Sequence, residues 1–165
     1  MIKDKRKMKV FISYARKNKE LVNNFRNKFD DHLKASLNFD YEIWQDVNIK
    51  LGSEWEEDIL SAIRKSDIAI LLVSPAFLSS DYISNTELPL ILKHVKKVIP
   101  VALGKIDFEY HDLHGLNKRQ FYFLNVASFS KPRSYTELNN KRREDFVFDL
   151  FKHIEKSLGN EEKTG

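Results

Sequence analysis

The stretch IAILLV, residues 68–73, is the longest unbroken apolar run in the chain, and it constrains the fold more than any other feature. A strand with one solvent-exposed face alternates apolar and polar residues, whereas a strand that is apolar at every position is typically buried on both faces. Helices that connect parallel strands bury both faces of a sheet in this way. The run is far shorter than the ~20 residues of a membrane helix, so we expect no membrane span.

The rest of the chain alternates strand-like and helix-like segments around this run. β-branched and aromatic residues predict strands at 9–14, 41–46, 67–74, 98–103 and 120–126. Apolar residues at helical spacing predict four amphipathic helices. Their buried faces are Leu21, Phe25, Phe29 and Leu33; Trp55, Ile59, Ala62 and Ile63; Leu88, Ile91, Leu92 and Val95; and Phe146, Val147, Leu150, Phe151, Ile154 and Leu158.

Strands that alternate with helices indicate the α/β class with a parallel sheet. Five such strands favour a doubly wound sheet in the order 2-1-3-4-5, with helices on both faces and a reversal of order between the first and third strands. Ligands bind beyond the carboxyl ends of the strands at such a point. We therefore expect segments 13–18 and 74–87 to face each other there, bordered by the loop 45–52. Ser53 and Glu56 have capping-box spacing, which predicts a helix start near Glu54.

Length and composition restrict the class of protein. A chain of 165 residues suggests one domain, which we place at 8–158, with a basic extension at 1–7 and a polar tail at 159–165. The chain has no cysteine, which excludes zinc ribbons, iron–sulfur sites and thiol catalysis. The net charge of +4 is spread over segments that also carry acids, so we expect a solvated surface and no nucleic-acid partner. These features favour a soluble cytoplasmic protein.

The sequence lacks the motifs of several common nucleotide-binding, phosphoacceptor and metal sites. The segment after the first strand has no glycine, so it cannot form a dinucleotide-binding turn, and no P-loop is present. Ser13 and Ser74 stand where a response regulator needs acids. Among the five histidines, His111 and His114 have a possible metal spacing, but no further ligand lies near them in sequence. We expect neither a metal nor a bound cofactor.

Three blocks in this order carry a resemblance to a known family. They are KVFISYARKNKELV, then EIWQDVNIKLGSEWEEDILSAIRKSDIAILLVSP, then FLSSDYISNTELP. Together they resemble a Toll/interleukin-1 receptor (TIR) domain of the bacterial type and of the NAD+-cleaving kind, over about residues 8–155. The resemblance implies a flavodoxin-like, five-stranded fold. It also implies one of two functions, since some members are NAD+ glycohydrolases and others are non-catalytic scaffolds that recruit TIR domains.

Glu87 matches the essential glutamate of the enzymatic members, which lies at the start of the helix after the third strand. Loss of nicotinamide leaves an oxocarbenium-like ribosyl centre, and a carboxylate stabilises that charge and binds the ribose hydroxyls. The alternative is that Glu87 only offsets a helix dipole, which is worth about 0.3–1 kcal/mol. Many enzymatic members have tryptophan four residues earlier, where this chain has Ile83; the adjacent Tyr82 is our candidate for the aromatic wall.

Other residues match the family's nucleotide pocket, and we expect them to bind substrate. They are Ser13, Tyr14, Arg16, Asp46, Lys50 and Tyr82. Three of them have alternatives: an arginine near a helix start is often only exposed, Asp46 has the character of a turn residue, and Lys50 has a neighbouring subunit as its other candidate partner. Trp44 alternates with Glu42 and Asp46, which favours a core position over a base-stacking one.

The loop after the second strand resembles the one through which TIR domains assemble and which gates their pocket. The resemblance gives this role to Val47, Ile49, Leu51 and Gly52. Packing of the three apolar side chains on the domain's own helices is the alternative. A head-to-tail contact between copies that does not close would build open filaments.

The leading interpretation is therefore an enzyme that cleaves the N-glycosidic bond of NAD+, with NAD+ as substrate and self-association or other TIR domains as partners. The products are nicotinamide and either ADP-ribose or a cyclic isomer, and the family suggests bacterial antiphage defence. The alternatives are a TIR–TIR scaffold, or a hydrolase or transferase acting on another nucleotide or nucleoside. The sequence has no sensor segment, so we expect a separate sensor protein or a longer parent chain.

Overall fold

The fold is taken from a computed structural model that describes residues 4–44 and 53–164, without the side chains of 53–55 and 162–164. The strands are β1 (Arg6–Ser13), β2 (Phe39–Trp44), β3 (Ile68–Val73) and β4 (Lys97–Ala102). The helices are α1 (Lys19–Lys34), α2 (Ser53–Lys65), α3 (Pro75–Ser79), α4 (Leu88–His94) and α5 (Asn140–Thr164). Helix α5 thus extends through most of the segment that we had taken for a polar tail, and β1 begins within the basic extension.

The strands form one parallel sheet in the order β2-β1-β3-β4. In register, Val10 lies beside Ile68 and Ser13 beside Leu71. The predicted α/β class, the parallel sheet and the 2-1-3-4 part of the order are therefore confirmed. The reversal of order places the loops after β1 and β3 next to each other at the carboxyl edge.

The prediction of a fifth strand at 120–126 is wrong. The segment does lie beside β4, where a fifth strand would be, but it forms only a single bridge with that strand. The backbone N–H of Tyr122 donates to Pro100 O at 2.8 Å, and its carbonyl accepts from Ala102 N at 2.9 Å, which makes a single parallel bridge. Leu124 then turns away to exchange two backbone hydrogen bonds with Arg133, at 2.8 and 3.0 Å. Pairing with β4 cannot continue, because Leu124 has used its backbone groups elsewhere.

Tyr122 also explains why this segment stays against β4. Its ring packs edge-on against Phe146, and its hydroxyl donates to Asp149 Oδ2 at 2.7 Å, so it ties the segment to α5. Burial, together with the hydrogen bond to Asp149, raises the pKa of Tyr122 far above its ordinary value. The phenol therefore remains a hydrogen-bond donor throughout the neutral range.

Two apolar cores lie on opposite faces of the sheet, as expected when both faces carry helices. Alternate side chains of β3 point to each: Ile68, Ile70 and Leu72 belong to the core under α1 and α5, and Ala69, Leu71 and Val73 belong to the core under α2 to α4. All six are buried. This confirms the two-sided burial predicted from the unbroken apolar run.

Helices α1 and α2 bury most of the faces that their spacing predicts, but Leu21 is only partly buried and the side chain of Trp55 lies outside the described part of the chain. Phe25, Phe29 and Leu33 of α1 are buried, as are Ile59, Ala62 and Ile63 of α2. No helix among residues 4–44 and 53–164 is long and apolar enough to cross a membrane.

Candidate functional site

Two hydrogen bonds join the end of β1 and the loop after it to the segment after β3, at the carboxyl edge of the sheet. The Ser13 hydroxyl donates to Glu87 Oε1 at 2.5 Å, and the Ser74 hydroxyl donates to Asn18 Oδ1 at 2.6 Å. The prediction that segments 13–18 and 74–87 face each other is confirmed by these contacts. They lie where doubly wound sheets bind their ligands.

Glu87 is the most unusual group in this region because it is a buried carboxylate. Its side chain belongs to a residue that is 8% exposed, and its partner Ser13 is 1% exposed. Burying a carboxylate is costly unless hydrogen bonds replace the lost water. A short bond from a hydroxyl to an ionised oxygen is among the stronger hydrogen bonds of proteins. Ser13 therefore helps to hold Glu87 inside the protein, in a defined orientation.

The backbone that carries Glu87 is a π-helical turn, Ile83–Glu87. The N–H of Leu88 donates to Ile83 O, five residues back, instead of four. Pro89 follows, and since proline has no N–H it cannot donate to Asn85 O as an α-helix requires. The α-helical hydrogen bond at Pro89 is therefore missing in any case. A π turn here gives up one backbone hydrogen bond fewer than it would at another place in a helix. Such single π turns occur frequently at functional sites.

The position of Glu87 is compatible with the plainer alternative, compensation of a helix dipole, but its side chain also makes a tertiary contact. Glu87 occupies the N-cap position of α4, but its side chain makes no capping hydrogen bond to that helix. Its carboxylate instead contacts Ser13 on a neighbouring strand. A tertiary contact across the carboxyl edge therefore orients the side chain, which a role in the helix dipole alone would not require.

Ser74 and Asn18 form a second polar pair that the sequence analysis did not identify. The Ser74 Oγ accepts from Phe77 N at 3.0 Å, which caps α3 immediately before Pro75. The same hydroxyl donates to Asn18, so one side chain both starts a helix and joins two loops. The Ser-Pro sequence signals the cap. Nothing local signals the asparagine, which the fold brings in from the loop after β1.

The structure separates the two tyrosines predicted to bind substrate. Tyr14 is half-buried and packs against the core under α1 and α5, whereas Tyr82 is half-buried against the other core. Arg16 is exposed, in a short 3-10 turn, Arg16–Asn18. Trp44 stacks on Phe11, with ring centroids 5.4 Å apart, which supports the core position predicted for it.

The remaining predicted site residues belong to the loop after β2. Asp46, Lys50 and the assembly residues Val47, Ile49, Leu51 and Gly52 lie outside the described residues. The predicted capping box of Ser53 also involves a side chain that is not described.

The histidines with possible metal spacing are engaged by the backbone. Asp107 N donates to His111 Nδ1 at 2.9 Å, and His114 Nε2 lies 2.8 Å from Leu78 O. In the described part of the chain, no group of three His, Asp or Glu side chains could hold a metal ion.

A sequence model of one family, described as TIR domain, matches residues 10–138, which is well over half of the chain. The chain belongs to the TIR domain family. The match includes Ser13 and Glu87 and ends in the turn before α5. A comparison with curated proteins found no match. Members of the TIR family act in signalling or in NAD+ cleavage, and this domain has a role of that kind.

Proposed function

We propose that this TIR domain is an NAD+ glycohydrolase of the bacterial type, with Glu87 as its catalytic carboxylate. The observation that carries the proposal is the placement of Glu87, which is buried at the carboxyl edge and hydrogen-bonded to Ser13 from the neighbouring strand. A scaffold surface has no use for a buried acid at this position. A site that must stabilise positive charge does, because a carboxylate held away from water interacts more strongly with a charge that develops beside it.

The chemistry requires only one carboxylate. The bond between the ribose C1′ and the nicotinamide nitrogen breaks, and the electron pair leaves with nicotinamide, which departs as a neutral molecule because its nitrogen was positively charged in NAD+. The ribosyl centre becomes oxocarbenium-like, and Glu87 stabilises that charge and accepts hydrogen bonds from the ribose hydroxyls. Water then adds to C1′ to give ADP-ribose, or an adenine nitrogen of the same molecule adds to give a cyclic isomer.

The other substrate contacts remain part of the proposal. Tyr82 lies five residues before Glu87, at the N-cap of the π turn, and forms one wall. Arg16 supplies a planar fork for a phosphate oxygen, and Tyr14 lies beside it in the loop after β1. Asp46 and Lys50 lie outside the described residues, and the family resemblance alone assigns them to substrate binding. The cellular role that we propose is bacterial antiphage defence in the cytoplasm, through NAD+ depletion or a nucleotide signal.

The direct test is to incubate the pure protein with NAD+ and to follow nicotinamide by chromatography, over a wide range of protein concentration. Release of nicotinamide that requires the folded protein supports the proposal. Parallel incubations with nucleosides and with other nucleotides would detect a hydrolase or transferase of different specificity. If none of these substrates is cleaved at any concentration, the proposed activity is wrong, and a non-catalytic TIR–TIR interaction module takes its place.

A further inference from the structure

A concavity lies beyond the end of β4, on the carboxyl edge of the sheet. It has a volume of about 630 Å³ and is lined by Lys105, Ser130, Lys131, Arg133, Thr136 and Glu137. Small-molecule pockets have volumes of about 300–1,000 Å³, so the space suits a ligand of nucleotide size. The lining differs from that of a usual apolar pocket, because every lining residue is charged or carries a hydroxyl.

Backbone contacts fix one wall of this basic cavity. Thr136 N donates to Leu103 O at 3.0 Å, which joins the wall to the end of β4. Arg133 is held by its two backbone hydrogen bonds with Leu124. Ser134 and Glu137 form a capping box around the 3-10 turn Tyr135–Glu137. Hydrogen-bonded backbone therefore holds the wall that carries Arg133, Thr136 and Glu137, whereas Lys105, Ser130 and Lys131 are exposed residues of irregular segments.

The single acid of the cavity is already engaged by its own turn. Glu137 Oε2 accepts hydrogen bonds from Ser134 N at 2.8 Å and from Ser134 Oγ at 2.9 Å. Partial burial works to raise the pKa of Glu137, but these hydrogen bonds, with the nearby charges of Lys105 and Lys131, outweigh it and lower the pKa. The carboxylate thus serves the capping box, and it offsets only part of the positive charge around it.

The three cations make no direct ion pair in the described part of the chain, although the charges of Lys105 and Lys131 act on Glu137. Neither Lys105, Lys131 nor Arg133 takes part in any ion pair there, whereas other basic residues such as Arg26 and Lys97 do. The Arg133 guanidinium lies 4.0 Å from the centroid of the Phe129 ring, and this stacking orients its planar fork. Like charges around one concavity repel each other, and a bound anion would remove that cost.

We propose that this basic cavity binds a small phosphorylated molecule with adjacent phosphates, of which inorganic pyrophosphate is the simplest form. An oriented arginine fork and two lysines match the charge of a diphosphate, and the hydroxyls of Ser130 and Thr136 add donors. Nucleic acid would instead require cations along an extended stripe, and these three converge on one concavity. The site contains neither Ser13 nor Glu87, so it is separate from the proposed catalytic carboxylate.

The test is calorimetric titration of the whole protein with pyrophosphate at low ionic strength. We expect saturable binding that the double variant Lys105→Gln/Lys131→Gln weakens about tenfold or more, since two charge-assisted contacts are lost. The matched control is Lys65→Gln/Lys96→Gln, which removes the same charge from exposed lysines that precede β3 and β4. It should bind as the parent does, and so should Glu87→Gln. Because pyrophosphate contains no glycosidic bond, this result does not depend on whether NAD+ is cleaved.

Three results would overturn the proposal. The first is no saturable binding of pyrophosphate by the parent. The second is an equal loss in both double variants, because that would mean a response to net charge alone. The third is tighter binding of a single-stranded oligonucleotide with the same sensitivity to Lys105 and Lys131, because that would indicate a nucleic-acid surface. Melting temperatures of all variants within a few degrees of the parent would show that the lysine substitutions leave the fold intact.

Discussion

Ser13 and Glu87 are 74 residues apart in the sequence, yet the hydroxyl of one donates to the carboxylate of the other at 2.5 Å. Ser13 is the last residue of β1, and Glu87 ends the π turn before α4. The pair therefore joins β1 to the segment after β3, at the point where the strand order reverses. The contact makes the orientation of Glu87 a property of the assembled sheet edge, and the first two predictions follow from it.

Replacing Glu87 with Gln should reduce NAD+ cleavage by about 10²–10³, the scale of loss when a preorganised electrostatic group is removed. The fold should survive, because the amide oxygen of glutamine can still accept from Ser13. Nicotinamide release and urea unfolding measured on the same preparation would check both statements. The matched control is Asp81→Asn, an exposed acid in the same segment, which should keep the parent's rate. A Glu87→Gln variant with normal activity would remove Glu87 from the catalytic role.

Ser13→Ala separates two roles for the hydroxyl. If Ser13 positions Glu87, the lost hydrogen bond to a charged group is worth about 1.5–3 kcal/mol, so kcat should fall roughly ten- to hundredfold with little change in KM. If Ser13 binds substrate, as we expected from the sequence, KM should rise while kcat is kept. Ser79→Ala is the control, because that exposed hydroxyl contacts only the carbonyl of Ala76. Steady-state kinetics on the two variants decide between these roles.

Glu137→Gln should destabilise the domain by about 1 kcal/mol near neutral pH, since one partner of a capping box loses its charge. The pKa of Glu137 is lowered in the folded state. Its carboxylate therefore contributes fully to the free energy of unfolding at a pH above the ordinary carboxyl pKa, and this contribution is lost as the pH falls through the lowered pKa of the folded state. The difference in unfolding free energy between parent and variant should therefore shrink in acid. Urea unfolding at about pH 7 and about pH 3 would show this, with the exposed Glu109→Gln as control. A difference that is the same at both pH values would contradict the assignment.

The loop Val47–Gly52 leads to a prediction about assembly. If its apolar residues insert against a neighbouring TIR domain and also gate the pocket, specific activity should rise with protein concentration, because association would complete the site. Ile49→Asp should abolish that rise and leave the melting temperature unchanged. Leu37→Asp is the matched control, since Leu37 is 74% exposed and lies outside the loop. Constant specific activity over a hundredfold range of concentration, with Ile49→Asp as active as the parent, would leave the loop with local packing only.

The local patterns of the sequence predicted the four strands of the main sheet and the helices α1, α2, α4 and α5, and they favoured the observed strand order. The run at 68–73 is typical of a strand buried on both faces, and the faces of α1 and α2 follow from the spacing of their apolar residues. Alternation of strands with helices then restricts the topology to a doubly wound sheet, because parallel strands need crossovers. The family resemblance made Glu87 the candidate catalytic residue from the sequence alone.

Tertiary structure decided what depends on neighbours that are distant in sequence. The segment 120–126 has the residues of a strand, but pairing requires a partner edge, and Leu124 pairs with Arg133 instead of continuing along β4. The contact of Ser13 with Glu87 could not be derived from either residue, because a serine at a strand end and an acid at a helix start each have many local uses. Hydrogen bonds act over about 3 Å, so only the packed sheet edge determines which of these uses is realised.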